Sequence, residues 1–142
     1  MKIYFFGALS VLSLVACGQS ASKHAAAAPQ APAFESQFEV LDIASYATLL
    51  GQNAGAMILD VRTPNEYASG HIPGAVNMDF YAPDFSQRLE SLDKTRECFI
   101  YCASGNRSGQ AMKIMQQAGF RRVVDLKGGF GAWARAGKPV ER

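Results

Sequence analysis

Cys102 follows an apolar run at residues 98–101 and heads the polar stretch Ala103-Ser104-Gly105-Asn106-Arg107-Ser108, behind which a helical pattern begins. A thiol becomes a strong nucleophile when it loses its proton. Three features of this stretch favour the thiolate. Backbone N–H groups of a short loop can turn inward and cradle negative charge. The N-terminus of the following helix adds positive potential. Arg107 adds a cation, and Gly105 allows backbone angles that other residues resist. Cys102 therefore reads as an activated nucleophile at the mouth of an anion cradle. The blander alternative is a small buried core residue, but a Gly-Asn-Arg-Ser loop is poor company for a core.

A reactive thiol needs a frame, and the flanking sequence carries the punctuation of one. Residues 38–41 form a short strand candidate. Asp42 can cap a helix over 43–50, which Gly51 can end. Residues 56–61 are a continuous apolar run, the pattern of a strand covered on both faces. Thr63, Pro64 and Glu66 have the spacing of a capped helix start. A turn at 70–74, a short strand at 75–77 and a helix over 85–92 follow. The run 98–101 is a further strand, with Ser108 placed to cap a helix over 109–117. Residues 123–126 and 130–136 complete the series as strand and helix. Strands alternate with helices, which predicts an α/β domain with a central, mainly parallel sheet and helices on both faces. Such sheets place their sites at the carboxyl ends of the strands. Those ends lead into Asp60 and Arg62, into Cys102, and into Lys127 with a flexible Gly128-Gly129 turn. If the strands are neighbours, a thiol, two cations and a glycine turn meet on one rim.

Three motifs in order carry a family resemblance. Leu59-Asp60-Val61-Arg62 is followed by Glu66-Tyr67 and by Gly70-His71-Ile72-Pro73-Gly74-Ala75. The Cys102 loop comes second, and Leu126-Lys127-Gly128-Gly129-Phe130 with Ala132-Trp133 and Gly137-Lys138-Pro139-Val140 comes last. Together they resemble the rhodanese family of sulfurtransferases over most of residues 34–142. The resemblance implies a rhodanese-like three-layer domain in which Cys102 accepts sulfur and becomes a persulfide. It implies that the amides of Ala103, Ser104, Gly105, Asn106 and Arg107 hold the persulfide and its anionic donor, and that Arg107 binds the donor's charge. Asp60, Arg62, Ser108 and Lys127 would support the pocket. His71 falls in a turn that the family uses structurally, and Trp133 reads as core. No cofactor and no metal is implied.

The loop places four residues between Cys102 and Arg107. Cysteine phosphatases, some of which are similar in fold, use five there to enclose a phosphate. The shorter loop favours the terminal sulfur of a persulfide. Many family members with thiosulfate activity carry a basic residue after the cysteine; Ala103 stands there here, so modest thiosulfate affinity is expected. The donor is expected to be a small sulfur-containing anion, thiosulfate or a polysulfide or persulfide. The acceptor is a thiophilic small molecule or protein thiol. The alternative is a non-catalytic persulfide carrier or a partner-binding module.

Residues 1–16 hold one lysine and then apolar and small residues, a run shorter than the roughly 20 residues of a membrane span. They read as a secretory signal. Leu14-Val15-Ala16-Cys17 resembles the lipobox of bacterial lipoproteins, which implies cleavage before Cys17 and a lipid on it. Gly18 after the cysteine points, by the same resemblance, to the outer membrane facing the periplasm. Residues 18–33 contain no leucine, isoleucine, valine or aromatic residue. Residues 17–33 are therefore expected to be a lipidated tether, with a reach of about 20–25 Å, and the domain to span 34–142. The net charge of +2 is too close to neutral to suggest a nucleic-acid partner. Three cysteines make no disulfide framework. Along a strand, Cys98 and Cys102 would stand roughly 13 Å apart, beyond the about 7 Å a disulfide bridges, so Cys98 is expected to be structural.

Overall fold

The computed structural model describes residues 37–142. The expected signal, Cys17, the tether and the domain start at residue 34 lie outside the described residues. The first strand, β1 (Gln37–Leu41), leads into helix α1 (Ile43–Gln52). Asp42 starts that helix as its position predicts: its side chain accepts the Ser45 N–H at 2.9 Å, satisfying one of the free donors of a helix start. The helix does not stop at Gly51. It runs to Gln52 because Asn53 supplies the terminal donors, its amide to Leu50 O at 3.1 Å and its side chain to Leu49 O at 2.8 Å.

Strand β2 (Met57–Asp60) is followed by helix α2 (Pro64–Ala68), which begins with a complete capping box. Glu66 accepts the Thr63 amide at 3.0 Å, and Thr63 accepts the Glu66 amide at 3.4 Å. Then come β3 (Val76–Asn77), α3 (Phe85–Glu90), β4 (Glu97–Tyr101), α4 (Asn106–Gln117), β5 (Arg122–Leu126) and α5 (Gly129–Arg135). Helix α4 departs from expectation at its start. It begins at Asn106, with Gly105 as its N-cap at φ +103°. Ser108 therefore sits inside the first turn and does not cap the helix.

Among the described residues the five strands form one sheet in the order β1-β5-β4-β2-β3, and every pairing is parallel. Alternate residues of a strand face opposite sides, and the core divides accordingly. Leu59, Cys98, Ile100, Cys102 and Val123 pack with Phe85 and Leu89 of α3 and Ala111 and Met115 of α4. Phe99, Tyr101, Val124 and Leu126 pack on the other face with Tyr46 of α1 and Trp133 of α5. The Tyr46 ring meets Phe99 edge-on at 5.1 Å, a favoured aromatic geometry. The result is the expected three-layer α/β domain, and it sets β4 at the middle of the sheet with β2 and β5 beside it.

Candidate active site

Cys102 lies one residue beyond β4, so the sheet fixes its backbone and the loop surrounds its sulfur. The loop turns at Gly105, whose N–H donates to Cys102 Sγ at 3.1 Å. The Ser108 hydroxyl, buried in the first turn of α4, donates toward the same sulfur at 3.6 Å. Cys102 is itself only 1% exposed. Burial on its own pushes the thiol pKa up. The amide and hydroxyl of Ser108 and the amides of Ser104 and Gly105 together outweigh it, and the thiol lies below its ordinary value. The ring of donors, rather than burial, sets that direction.

Those donors point inward because the loop carbonyls are tied elsewhere. Phe130 N–H donates to Cys102 O at 2.7 Å, and Gly131 N–H donates to Ala103 O at 3.1 Å. The first amides of α5 thus hold the back of the loop. Gly129 makes this approach possible. It has φ +60°, and a β-carbon there would stand 2.7 Å from both Ala103 C and Ser104 N. The Gly128-Gly129 pair is therefore a site of close backbone contact rather than a flexible turn. The sequence motif flagged the position; its reason appears only when two loops distant in sequence meet.

The expected pocket residues separate into different roles. Arg107 is locked on Glu66 by two parallel bonds of 2.8 and 2.7 Å, a bidentate geometry that is strong and directional. Arg107 first, then the Thr63 donors, draw the Glu66 carboxyl down to about 2 against the effect of burial. Glu66 reads in the sequence as a helix cap and as part of the first motif, with no pairing indicated, and its partner lies 41 residues away. The Tyr81 ring sits 5.7 Å from the Arg107 guanidinium. Arg107 is also the cation whose charge couples to Cys102.

Arg62 is not a second open cation. Its guanidinium binds Asp60 at 2.6–3.0 Å and Gly70 O at 2.7 Å, and it lies 4.1 Å over the Phe130 ring. Asp60 and Arg62 brace the turn and α5. Lys127 is exposed, its amide bonds Leu41 O at 2.8 Å, and its charge acts on Asp42. The expected meeting of two such cations with the thiol is thus corrected: both end strands beside β4, yet side-chain direction turns them elsewhere. Asn106 is exposed, with its side-chain oxygen accepting from Gln110 at 2.8 Å. Ala103 is half-buried and Ser104 exposed.

The structural readings of the remaining residues agree with their surroundings. His71 stacks on Tyr67 at 3.8 Å and its Nδ1 lies 3.2 Å from Tyr67 O. Trp133 is buried and donates to Pro139 O at 2.8 Å. Cys98 is wholly buried and unpaired, and burial pushes its thiol well above the usual range. Asp125 of β5 was invisible as a site residue in the sequence, where it is one residue of an apolar strand. It is 2% exposed and stands on the same sheet face as Val123, the face that α4 covers.

A family model described as a rhodanese-like domain matches residues 43–136. The chain is 38% identical over 100 residues to a sulfurtransferase of Allochromatium vinosum, covering 70% of this chain and 92% of that protein. It is 37% identical over 98 residues to thiosulfate sulfurtransferase 16, chloroplastic, of Arabidopsis thaliana, covering 62% and 82%. The crystal structure of the Alr3790 protein from Anabaena aligns with a TM-score of 0.62 at 36% identity, over 71% of this chain and 81% of that one. With three ordered motifs, a parallel sheet that frames the cysteine loop, and these matches, the chain belongs to the rhodanese-like domain family.

Proposed function

We propose that the protein is a sulfurtransferase that carries a sulfane sulfur on Cys102. The observation that supports this most directly is the buried Cys102 sulfur with Gly105 N–H at 3.1 Å and the Ser108 hydroxyl at 3.6 Å. In the first step the Cys102 thiolate attacks the outer sulfur of thiosulfate, or the sulfane sulfur of a polysulfide or persulfide. The new S–S bond forms as the old one breaks, and sulfite or a thiolate leaves with the bonding pair. The negative charge then rests on the terminal sulfur. The amides of Ala103, Ser104, Gly105, Asn106 and Arg107 are the donors for that charge and for the incoming anion. In the second step a thiophilic acceptor takes the terminal sulfur and the Cys102 thiolate returns.

The four-residue gap between Cys102 and Arg107 supports sulfur over phosphate as the group held. Arg107 serves this reading in two ways, as a field on the thiolate and, through Glu66, as a strut for the loop. Ala103 brings no charge, so donors of low charge, such as persulfides, fit as well as thiosulfate. The LVAC motif adds a location: the domain is held by lipid on Cys17 and faces an extracytoplasmic space, the periplasmic side of the outer membrane.

The test is intact mass after incubation with thiosulfate or polysulfide. One added sulfur is expected, about 32 Da, on wild type and Cys102→Ala failing to gain it, consistent with a single activated nucleophile. Cys98→Ala should gain the sulfur as wild type does. Sulfur found on Cys98, or retained when Cys102 is replaced, refutes the assignment. Steady-state thiocyanate release from thiosulfate and cyanide then separates an enzyme from a carrier: the enzyme turns over many times, faster than cyanide strips a small-molecule persulfide, and the carrier gives no more than that uncatalysed rate.

A further inference from the structure

Ser108 has one hydroxyl hydrogen, and two buried groups lie by the first turn of α4 that carries it. On one side is Cys102 Sγ at 3.6 Å. On the other is Asp125, brought by β5, the strand next to the one that carries Cys102. Asp125 is buried, and its Oδ1 has no hydrogen-bond partner among the described residues. Its Oδ2 looks at the first turn of α4: a β-carbon on Gly109 would stand 3.9 Å from it. A pull from the Ser108 side chain, the neighbour of Gly109, is among the causes that hold this carboxyl's pKa down against burial. Neither the scaffold nor the sulfur-transfer steps above use Asp125, and a buried carboxyl with one oxygen left unpaired calls for a reason.

We propose that Asp125 is a positioning residue for Cys102, acting through Ser108: a proton on the carboxyl leaves the hydroxyl hydrogen to the sulfur, and its loss draws that hydrogen to the carboxylate. A hydroxyl donates one hydrogen and accepts through its lone pairs. With Asp125 ionised, the Ser108 hydrogen turns to the carboxylate, and the Cys102 thiolate loses a donor. With Asp125 protonated, the carboxyl donates to Ser108 Oγ, and the hydroxyl hydrogen is free for Sγ. The two anions, Asp125 carboxylate and Cys102 thiolate, therefore oppose each other through one shared group. This inference rests on the reading of Cys102 as the reactive thiol.

The surroundings let Asp125 exchange its proton in a useful range. Burial pushes the carboxyl up to about 6, against the pull of the Ser108 hydrogen bond and the Leu126 amide. Its strand neighbours, Val40 on β1 and Ile100 on β4, carry no charge. From α1, Tyr46 feels the Asp125 charge, but burial first and foremost holds that phenol well above its usual range and so neutral. From α4, the facing groups are Ser108 and the Gly109 backbone. At the sulfur, Arg107 is the charged group, and its pairing with Glu66 keeps it protonated.

The test is the pH profile of Cys102 alkylation by iodoacetamide in the full chain, read by mass on the peptide that contains Cys102. Two coupled sites titrate more broadly than one. Wild type should show a thiolate curve wider than a single ionisation, with a step near the carboxyl's own range. Asp125→Asn offers a permanent donor in place of the carboxyl. It should give a single-site curve at lower pH and about threefold faster labelling at pH 7, since tenfold more thiolate per unit of pKa is partly offset by weaker nucleophilicity. Ser108→Ala should give a single-site curve at higher pH, and adding Asp125→Asn to it should change nothing further. Superimposable profiles for wild type and Asp125→Asn overturn the inference. So does an Asp125→Asn shift that survives in the Ser108→Ala background, since it would not run through Ser108. If Cys102 takes no label at any pH, the reactive-thiol reading falls and this inference with it. If Cys102 gains sulfur normally but its profile ignores Asp125, this inference alone falls.

Discussion

Gly129→Ala is expected to be among the most damaging single-carbon additions in the domain. Two separate effects combine there. The residue has φ +60°, where an added β-carbon costs roughly 1–2 kcal/mol in backbone energy alone. The same β-carbon would also stand 2.7 Å from Ala103 C and Ser104 N, and closer still to Cys102 O. Ordinary contacts begin near 3.4 Å, so the loop must retreat by about 1 Å, and overpacking of this kind costs about 1–3 kcal/mol. The sum is about 2–5 kcal/mol. For a domain of this size that lowers Tm by about 10 °C or more. The atoms displaced are the backbone of the Cys102 loop, and misplacement of a catalytic group by about 1 Å can cost on the order of 100-fold. Activity should therefore fall further than stability explains. Gly74→Ala is the control, because Gly74 has φ +77° with open space around its missing β-carbon. It should show the backbone cost alone and leave persulfide formation intact. The assays are thermal unfolding and the initial rate of sulfur loading followed by intact mass, both well below the variant's Tm. If Gly129→Ala and Gly74→Ala lose the same stability and both load sulfur at the wild-type rate, the close contact between α5 and the loop plays no part in holding the site.

Two further outcomes follow from the same frame. Glu66→Gln should lower Tm at neutral pH and weaken the acid sensitivity of the fold. Arg107 and Thr63 hold the Glu66 carboxyl at about 2, down from 4.5, so its stabilisation is complete above 4.5 and is lost as pH falls towards 2; difference curves of Tm against pH that stay flat across that window would refute the pairing. Cys17→Ser should release the protein from the membrane fraction and change its mobility, as loss of a lipid anchor requires; a variant that stays in the same fraction with wild-type mobility would refute lipidation.

The sequence by itself determined the elements and the residues from which the candidate site is built. Alternation of apolar runs with helical patterns is local, and so are the Asp42 and Thr63 caps; each could be read because its cause lies within a few residues. The thiol of Cys102, the short loop and the glycine at 105 were legible for the same reason. What only the tertiary structure decided was which groups meet. Glu66 pairs with Arg107 across 41 residues, a contact that no local pattern encodes. Arg62 and Lys127 leave strands on either side of the thiol, yet one is spent on Asp60 and the other is exposed near Asp42, because side-chain direction depends on packing and not on position in the chain. The start of α4 at Asn106 moved Ser108 from an expected cap into the first turn, where its hydroxyl faces the sulfur. Gly129 and Asp125 acquire their places from β4 and β5 lying side by side: only when the sheet closes does the backbone of one loop press on another, and only then does a carboxyl from an apolar strand come to face the first turn of α4, from which Ser108 donates toward the thiol.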